Sequence, residues 1–300
     1  MPTLNFETGI KAVRIGDSVC RATRSFAKAG IDTPSRDARL LVAKATGLDA
    51  ARLISEPDRP MTQTECHRLI EFVERRCARE PVSRVLGYRE FYGRGFIVTP
   101  VVLDPRPDSE TLIEAALALV EEECWRARPI RILDVGTGSG CLLVTLLAEL
   151  PLASGIGTDL SSEALSVAAQ NAAKHGVASR ARFEMRRSLE DVEEPCDLLV
   201  CNPPYIPSRE IALLAPEVRD HEPRAALDGG VDGLNIYREV IPDLFRVCSR
   251  SWALFEVGAG QAGSVTELLG TARGAQGAAE IRFASDLGGH VRCVAAKIQV

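Results

Sequence analysis

Ile130-Arg131-Ile132-Leu133-Asp134-Val135-Gly136-Thr137-Gly138-Ser139-Gly140-Cys141-Leu142 is the stretch from which the fold can be read. Apolar residues crowd Ile130–Val135, a run short enough for a buried strand, and the run closes on an acidic residue. Three glycines at alternate positions follow, and an apolar helix opens near Cys141. Strand, glycine loop and helix in that order are the first step of an open α/β sheet, which binds ligands outside the C-terminal ends of its strands. Glycine allows both the sharp turn and the close approach of backbone to a ligand. The dinucleotide fingerprint G-x-G-x-x-G fails here, because its third glycine would fall at Cys141. The Lys-Ser/Thr ending of a phosphate-binding loop is missing too. Gly136, Thr137, Gly138, Ser139 and Gly140 therefore suit a nucleoside cofactor that carries no pyrophosphate.

Downstream, short apolar runs alternate with helical stretches, as a mostly parallel sheet requires. The expected strands are Ile130–Val135, Ser154–Asp159, Arg182–Arg186, Asp197–Cys201, Trp252–Val257, Glu280–Ala284 and Val291–Ala296. Asp159 ends the second of them, where an acid accepts hydrogen bonds from both ribose hydroxyls. It stands slightly too early to cap the helix that begins at Ser161-Ser162-Glu163. A glycine loop and a ribose acid without phosphate machinery point to S-adenosylmethionine.

The fourth strand runs into Asn202-Pro203-Pro204-Tyr205. Two prolines fix two φ angles and remove two donors, so this loop offers carbonyl acceptors. Asn202 adds a side-chain acceptor and Tyr205 a flat face, a combination suited to a planar group bearing an NH2. Acceptors on both hydrogens, from Asn202 and the Pro203 carbonyl, would turn the nitrogen lone pair toward a methyl donor and stabilise the growing positive charge. A Pro-rich turn with no chemistry is the plain alternative for the tetrapeptide alone. The stretch from Pro203 to about Gly233, rich in Pro, Gly and charge, reads as a functional lid or a disordered loop.

Before the sheet, residues 1–84 read as a helical domain. Ala38, Leu41, Val42 and Ala45 form one apolar stripe, closed by Gly47; Cys66, Leu69, Ile70, Val73 and Cys77 form another. Arg75, Arg76 and Arg79 fall near the end of the second helix, where cations complement the helix dipole. Residues 85–104 read as a β-hairpin linker around Gly93-Arg94-Gly95, and 105–300 as the catalytic domain. Within it, Ser109 or Asp108 would cap a helix, while an Arg between two prolines (Arg106) is less readily explained by packing.

The chain of 300 residues has a net charge of −5, divided as +4 over residues 1–85 and −9 over the rest. So acidic a catalytic portion is poorly suited to wrapping nucleic acid. No apolar run approaches a membrane span and no secretory signal opens the chain, so neither a membrane nor export is expected. Nine scattered cysteines without a C-x-x-C pair argue against a metal site and for a reducing compartment, the cytoplasm. Cys20, Cys66, Cys77, Cys141 and Cys248 read as small buried hydrophobes. His221 reads as a solvated surface histidine, and Glu256 with Gln261 as either site support or a cap.

Val82–Glu114, Asp134–Leu142, Asn202–Pro207, Glu222-Pro223 through Gly233-Leu234, Glu256-Val257-Gly258 with Gln261, and Asp286-Leu287 with Arg292 occur in this order. Together they resemble the release-factor glutamine methyltransferases, the HemK/PrmC family, over essentially the whole chain. Arg106-Pro107-Asp108-Ser109-Glu110 behind a helical front is the most specific part of the likeness. The resemblance implies a seven-stranded, Rossmann-like class I methyltransferase sheet behind a substrate-docking domain. It implies S-adenosylmethionine held by Gly136 to Gly140, Asp159 and Asn202, and a glutamine held by Asn202 to Tyr205. The implied substrate is the glutamine of the Gly-Gly-Gln motif in class I peptide chain release factors. The family usually has Thr where Ser109 stands, and an acidic residue near the adenine where this chain reads Arg186-Arg187-Ser188-Leu189; Ser188 is the positional match. Ribosomal-protein glutamine methylation and DNA adenine-N6 methylation are the competing activities; the second would need base flipping and a basic DNA surface.

Overall fold

The computed structural model describes residues 13–186, 189, 192, 194–272 and 280–298. They divide into two units. One holds the described residues up to Gly87 together with Pro216–His221; the other holds Tyr88–Ala215 and the chain from Glu222 onward.

Helices α1 (Ile15–Lys28), α2 (Pro34–Thr46), α3 (Ala50–Ser55), α4 (Gln63–Cys77) and α5 (Val82–Leu86) build the first unit. Pro34 occupies the first turn of α2, where its missing N–H is harmless, and Gly47 closes the helix at φ 70°. At the start of α4, Thr62 and Glu65 exchange the reciprocal bonds of a capping box. Leu41, Val42, Leu69 and Val73 meet Ile15 and Phe26 in a common core. Against that core lies a buried ion cluster that local periodicity does not reveal. Nε of Arg76 donates to Asp37 at 2.8 Å, and Nη1 to Glu217 at 3.2 Å. Arg79 donates to the other Glu217 oxygen at 2.7 Å and to the Ala29 and Gly30 carbonyls. Arg75 pairs with Glu80 at 2.6 Å. The three arginines read as complements to a helix dipole thus each have a specific carboxylate. Burial alone would raise the Glu217 carboxyl, but Arg79 and Arg76 hold it below its usual range. Of the cysteines read as buried, Cys248 is buried, Cys66, Cys77 and Cys141 are half-buried and Cys20 is exposed.

The second unit opens with a hairpin, β1 (Tyr88–Phe91) and β2 (Arg94–Ile97), turned by Tyr92 and Gly93 at φ 50° and 68°. Seven strands then form one sheet: β3 (Arg131–Val135), β4 (Ser154–Asp159), β5 (Ala181–Met185), β6 (Cys196–Cys201), β7 (Cys248–Glu256), β8 (Glu280–Ser285) and β9 (Val291–Ile298). Their order is β5-β4-β3-β6-β7-β9-β8, with β9 antiparallel to both of its neighbours and the other pairs parallel. Every strand expected from the sequence is present, and β7 starts four residues earlier, at Cys248.

Alternation along the strands explains why both faces are covered. Ile132, Leu198, Val200, Trp252 and Leu254 point into one core, with α6 (Glu110–Glu122), α7 (Cys141–Glu149) and α8 (Ser162–Lys174). Leu133, Leu199, Cys201, Ala253 and Phe255 point into the other. There they meet α10 (Asn235–Val240), α11 (Leu244–Val247) and α12 (Ala262–Thr271); α9 (Pro216–Arg219) lies in the first unit. The strand order reverses beside β3, and Val135 pairs with Cys201. The glycine loop and the Asn202 loop therefore leave the sheet side by side, at the switch point where open α/β sheets bind ligands.

Asn171 in α8 locks the hairpin to this edge. Its Oδ1 accepts from Ile97 N at 2.7 Å, and its Nδ2 donates to the carbonyls of Ile97 and Ser139 at 3.1 and 2.8 Å. No described helix is long and apolar enough to cross a membrane.

Removing one member of a buried ion cluster strands the charge that remains. We expect Asp37→Ala to lower the unfolding free energy by about 3–5 kcal/mol, read from the denaturant midpoint. Arg14→Ala, which breaks the exposed pair with Asp58, is expected to leave that midpoint unchanged.

Candidate active site

The glycine loop is organised by a carboxylate beneath it. Asp134, fully buried at the penultimate position of β3, accepts from Thr137 Oγ1 at 2.6 Å and Leu143 N at 3.3 Å, both through Oδ2. Its Oδ1 has no hydrogen-bond partner among the described residues. Burial pushes this acid up to about 7, against the pull of those two donors.

The three loop glycines, all at positive φ, serve two purposes. A Cβ on Gly136 would meet nothing within 4 Å, so space above this turn is left for a ligand. A Cβ on Gly140 would come to 3.0 Å from Ala168 Cβ, so Gly140 lets α7 and α8 approach. Thr137 and Ser139 are buried; Thr137 turns to Asp134, and the Ser139 carbonyl turns to Asn171.

Asp159 closes β4 beside this loop. Its Oδ2 accepts from Gly138 N at 2.9 Å and its Oδ1 from Ser161 N at 3.0 Å, which leaves each oxygen a lone pair for a hydroxyl. Ser161 is the N-cap of α8, as its bond from Ala164 N shows. Leu160 and Met185, 59% and 68% exposed, flank Asp159, which pairs with Met185 across β4 and β5. Two bare apolar side chains there suit a flat heterocycle, and the sequence reading missed both. Ser188, read as the adenine contact, lies outside the described residues. Open space over Gly136, free lone pairs on Asp159 and these apolar flanks fit an adenosyl group.

Asn202 follows the last residue of β6, and its Nδ2 donates to Ser109 Oγ at 3.1 Å. The Tyr205 carbonyl accepts from Gln261 Nε2 at 2.9 Å, while Gln261 Oε1 accepts from Gly258 N at 3.0 Å. Gln261 thus braces the tetrapeptide. Burial pushes the Tyr205 phenol up to about 12, so it stays neutral. The long irregular stretch that follows is stitched down. Ile206 N donates to the Leu227 carbonyl at 3.1 Å, and Gly229 N to the Ile206 carbonyl at 2.9 Å. Glycine is required where it passes the tetrapeptide. A Cβ on Gly229 would lie 2.7 Å from the Pro204 carbonyl oxygen, and one on Gly233 2.3 Å from that of Tyr205.

Each polar residue of Arg106-Pro107-Asp108-Ser109-Glu110 has its own partner around this loop. Arg106 donates to Glu222 at 3.1 Å, Asp108 pairs with Arg292 at 3.1 Å, and Glu110 accepts from Tyr92 N at 2.8 Å. Ser109, buried, accepts from Asn202 Nδ2. Glu256 ends β7 with 1% exposure, and its Oε2 has no hydrogen-bond partner among the described residues. Burial pushes its carboxyl up to about 7, although the charge of Arg292 favours ionisation. Among the described residues no group of His, Cys, Asp and Glu could hold a metal ion. The arrangement sets the Asn202 loop beside the glycine loop at the ligand-binding edge of the sheet.

The chain is similar to known proteins over most of its length. A family described as the PrmC N-terminal domain matches residues 19–87, and one described as a methyltransferase small domain matches residues 112–217. The release factor glutamine methyltransferase of Bradyrhizobium diazoefficiens is 44% identical over 85% of this chain and 87% of its own length. That of Cereibacter sphaeroides is 44% identical over 95% and 99%. That of Geobacter sulfurreducens is 39% identical over 81% and 84%. Among solved structures, the catalytic domain of hMettl16 in complex with a MAT2A 3′UTR hairpin shares the fold. Its TM-score is 0.57 at 17% identity, over 73% of this chain and 81% of that one.

Gly233→Ala, at φ +80° and against the Tyr205 carbonyl, is expected to cost about 1–3 kcal/mol in backbone strain before any clash. Thermal unfolding should show the loss, while Gly263→Ala, a helical position with nothing within 4 Å, should not.

Proposed function

The chain belongs to the release factor glutamine methyltransferase family, and from that premise we propose that it methylates the side-chain amide nitrogen of the glutamine in the Gly-Gly-Gln motif of class I peptide chain release factors. The observation that carries the reading is the juxtaposition of Asn202 with the glycine loop at the switch point between β3 and β6. S-adenosylmethionine, when bound, supplies an electrophilic methyl group on a sulfonium. Gly136 and Gly138 would leave room for it, Asp159 would accept its ribose hydroxyls, and Leu160 and Met185 would flank its adenine. Thr137, Ser139 and Gly140 would act behind them by shaping the loop.

The Asn202 Oδ1 and the Pro203 carbonyl would accept both N–H bonds of the glutamine amide, and the Tyr205 ring would lie against its plane. An amide nitrogen is a weak nucleophile because its lone pair is delocalised. Held from both hydrogens, it would present that lone pair to the methyl group that S-adenosylmethionine would supply, leaving the thioether as the other product. The same acceptors stabilise the positive charge on nitrogen, and the surplus proton is acidic enough to leave to water. Proline at 203 and 204 keeps the loop's acceptors from turning away.

The helical unit would dock the release factor, with the basic excess of residues 1–85 contributing attraction. The protein would work in the cytoplasm, where translation termination takes place, and needs neither metal nor nucleic acid in this reading.

The test is direct. Incubation with S-adenosylmethionine and a release factor should add one methyl mass to the Gly-Gly-Gln peptide. Methyl gain on a ribosomal protein or duplex DNA instead would overturn the substrate. Asn202→Ala should lower kcat by about 10²–10³-fold, with cofactor affinity little changed. Asp159→Ala should instead weaken the cofactor, raising its KM roughly tenfold or more.

A further inference from the structure

We infer that Cys196 and Cys248 form an oxidisable dithiol, remote from the ligand-binding edge, that a hydroperoxide converts into a reversible disulfide. Their sulfurs lie 3.4 Å apart, buried, although the residues are 52 positions apart in the chain. Cys196 opens β6, Cys248 opens β7, and the two are partners in the parallel ladder. Asn202 follows the other end of β6, so the pair sits at the opposite edge of the sheet from the glycine loop.

Three observations separate this pair from cysteines that only fill space. The first is reach. Neighbouring strands run about 4.7–4.9 Å apart, inside the Cα separation of about 4.4–6.8 Å that a disulfide spans. The second is latitude. The register of β6 on β7 shifts between Cys196 and Leu198, so the ladder is already irregular beside the residue that must adjust. The third is access. Cys196 lines a cavity of about 280 Å³ together with Arg131, Ser154, Arg182, Glu194 and Pro195. Cys248 has no exposed surface, so Cys196 is the sulfur that a small oxidant meets first.

The chemistry balances with a hydroperoxide as the oxidant. The Cys196 sulfur gives up its proton and attacks a peroxide oxygen. The O–O bond breaks, a sulfenic acid forms, and the departing oxygen takes the proton and leaves as an alcohol, or as water when the oxidant is hydrogen peroxide. The Cys248 sulfur then attacks that of Cys196. The S–S bond forms as the S–O bond breaks, and hydroxide leaves with the Cys248 proton as water. Two electrons pass from the sulfurs to the peroxide.

Hydrogen bonding with Cys248 and burial both push the Cys196 thiol up, so its first oxidation is slower than that of an open thiolate. What the fold adds is a second sulfur already in contact, which captures the sulfenic acid before further oxygen is added. The strand spacing lies toward the short end of the Cα separations that disulfides prefer, which makes the bridge readily reduced and its formation transient. While closed, it would encircle the tetrapeptide and the irregular stretch up to Gly233, restricting the unfolded chain and stapling β6 to β7.

Peptide mapping of the folded full-length protein after hydrogen peroxide treatment tests this. We expect a cross-linked Cys196–Cys248 peptide, lighter by two hydrogens than the separate thiols and restored by dithiothreitol. The exposed Cys20 and Cys124 gauge how fast the oxidant attacks an open thiol. The bridged protein should unfold about 5 °C or more above the reduced one. Cys196→Ala and Cys248→Ala should each abolish both the cross-link and the shift. Arrest of Cys196 at sulfenic or sulfinic acid, a bridge to a different cysteine, or a bridge formed only in denaturant would overturn the inference. A bridged protein that unfolds no later than the reduced one would overturn the stapling role. The map of the unsubstituted protein decides the matter even where a variant folds poorly.

Discussion

Two acids held inside the protein at the ends of strands govern the ligand-binding edge. Asp134 near the end of β3 and Glu256 at the end of β7 flank β6, the strand that delivers Asn202. Each is almost completely buried and each keeps one oxygen without a hydrogen-bond partner among the described residues. Burying a carboxyl in this way is costly, and both are driven up to about 7 as a result. Their unfolded values lie near 4, so the stability linked to their protonated forms is complete below that range and is lost as pH rises through about 7. The fold accepts that cost where it needs loops of fixed shape. Asp134 gathers Thr137 and the first turn of α7 and so sets the glycine turn. Glu256 closes β7, and its backbone carbonyl accepts from the Tyr237 hydroxyl at 2.6 Å.

The parts of the molecule legible in the sequence are those written in local period and punctuation. Alternating apolar strands such as Leu198-Leu199-Val200-Cys201, the glycine turn and the αL glycine after α2 all declare themselves within ten residues. What stayed hidden is pairing between distant residues. Arg76 with Glu217, Arg106 with Glu222, and Asn171 with Ile97 are separated by 141, 116 and 74 positions. No window of sequence contains both partners. Arg106 was conspicuous for its prolines, yet only the folded chain shows its carboxylate.

Glycine illustrates the same limit inside one motif. Gly136 and Gly140 look equivalent in a row of alternating glycines, but one faces open space and the other a neighbouring helix. Gly229 and Gly233 lie far along an irregular stretch that reads as a lid. Their lack of side chains is what lets that stretch lie flat against the tetrapeptide and serve as its wall.

Pro216–His221 belongs to the helical unit although it is encoded in the middle of the catalytic one. The polypeptide therefore crosses between the units three times, after Gly87, after Ala215 and before Glu222. A gene cut at the first crossing would yield a front half lacking Glu217, with Arg76 and Arg79 deprived of a shared counter-ion. It would also yield a back half bearing a six-residue segment with nowhere to fold. The two halves are thus poor material for recombination. Evolution can retune the front helices residue by residue, but it cannot exchange them as a cassette without rewriting the loop that follows Tyr205.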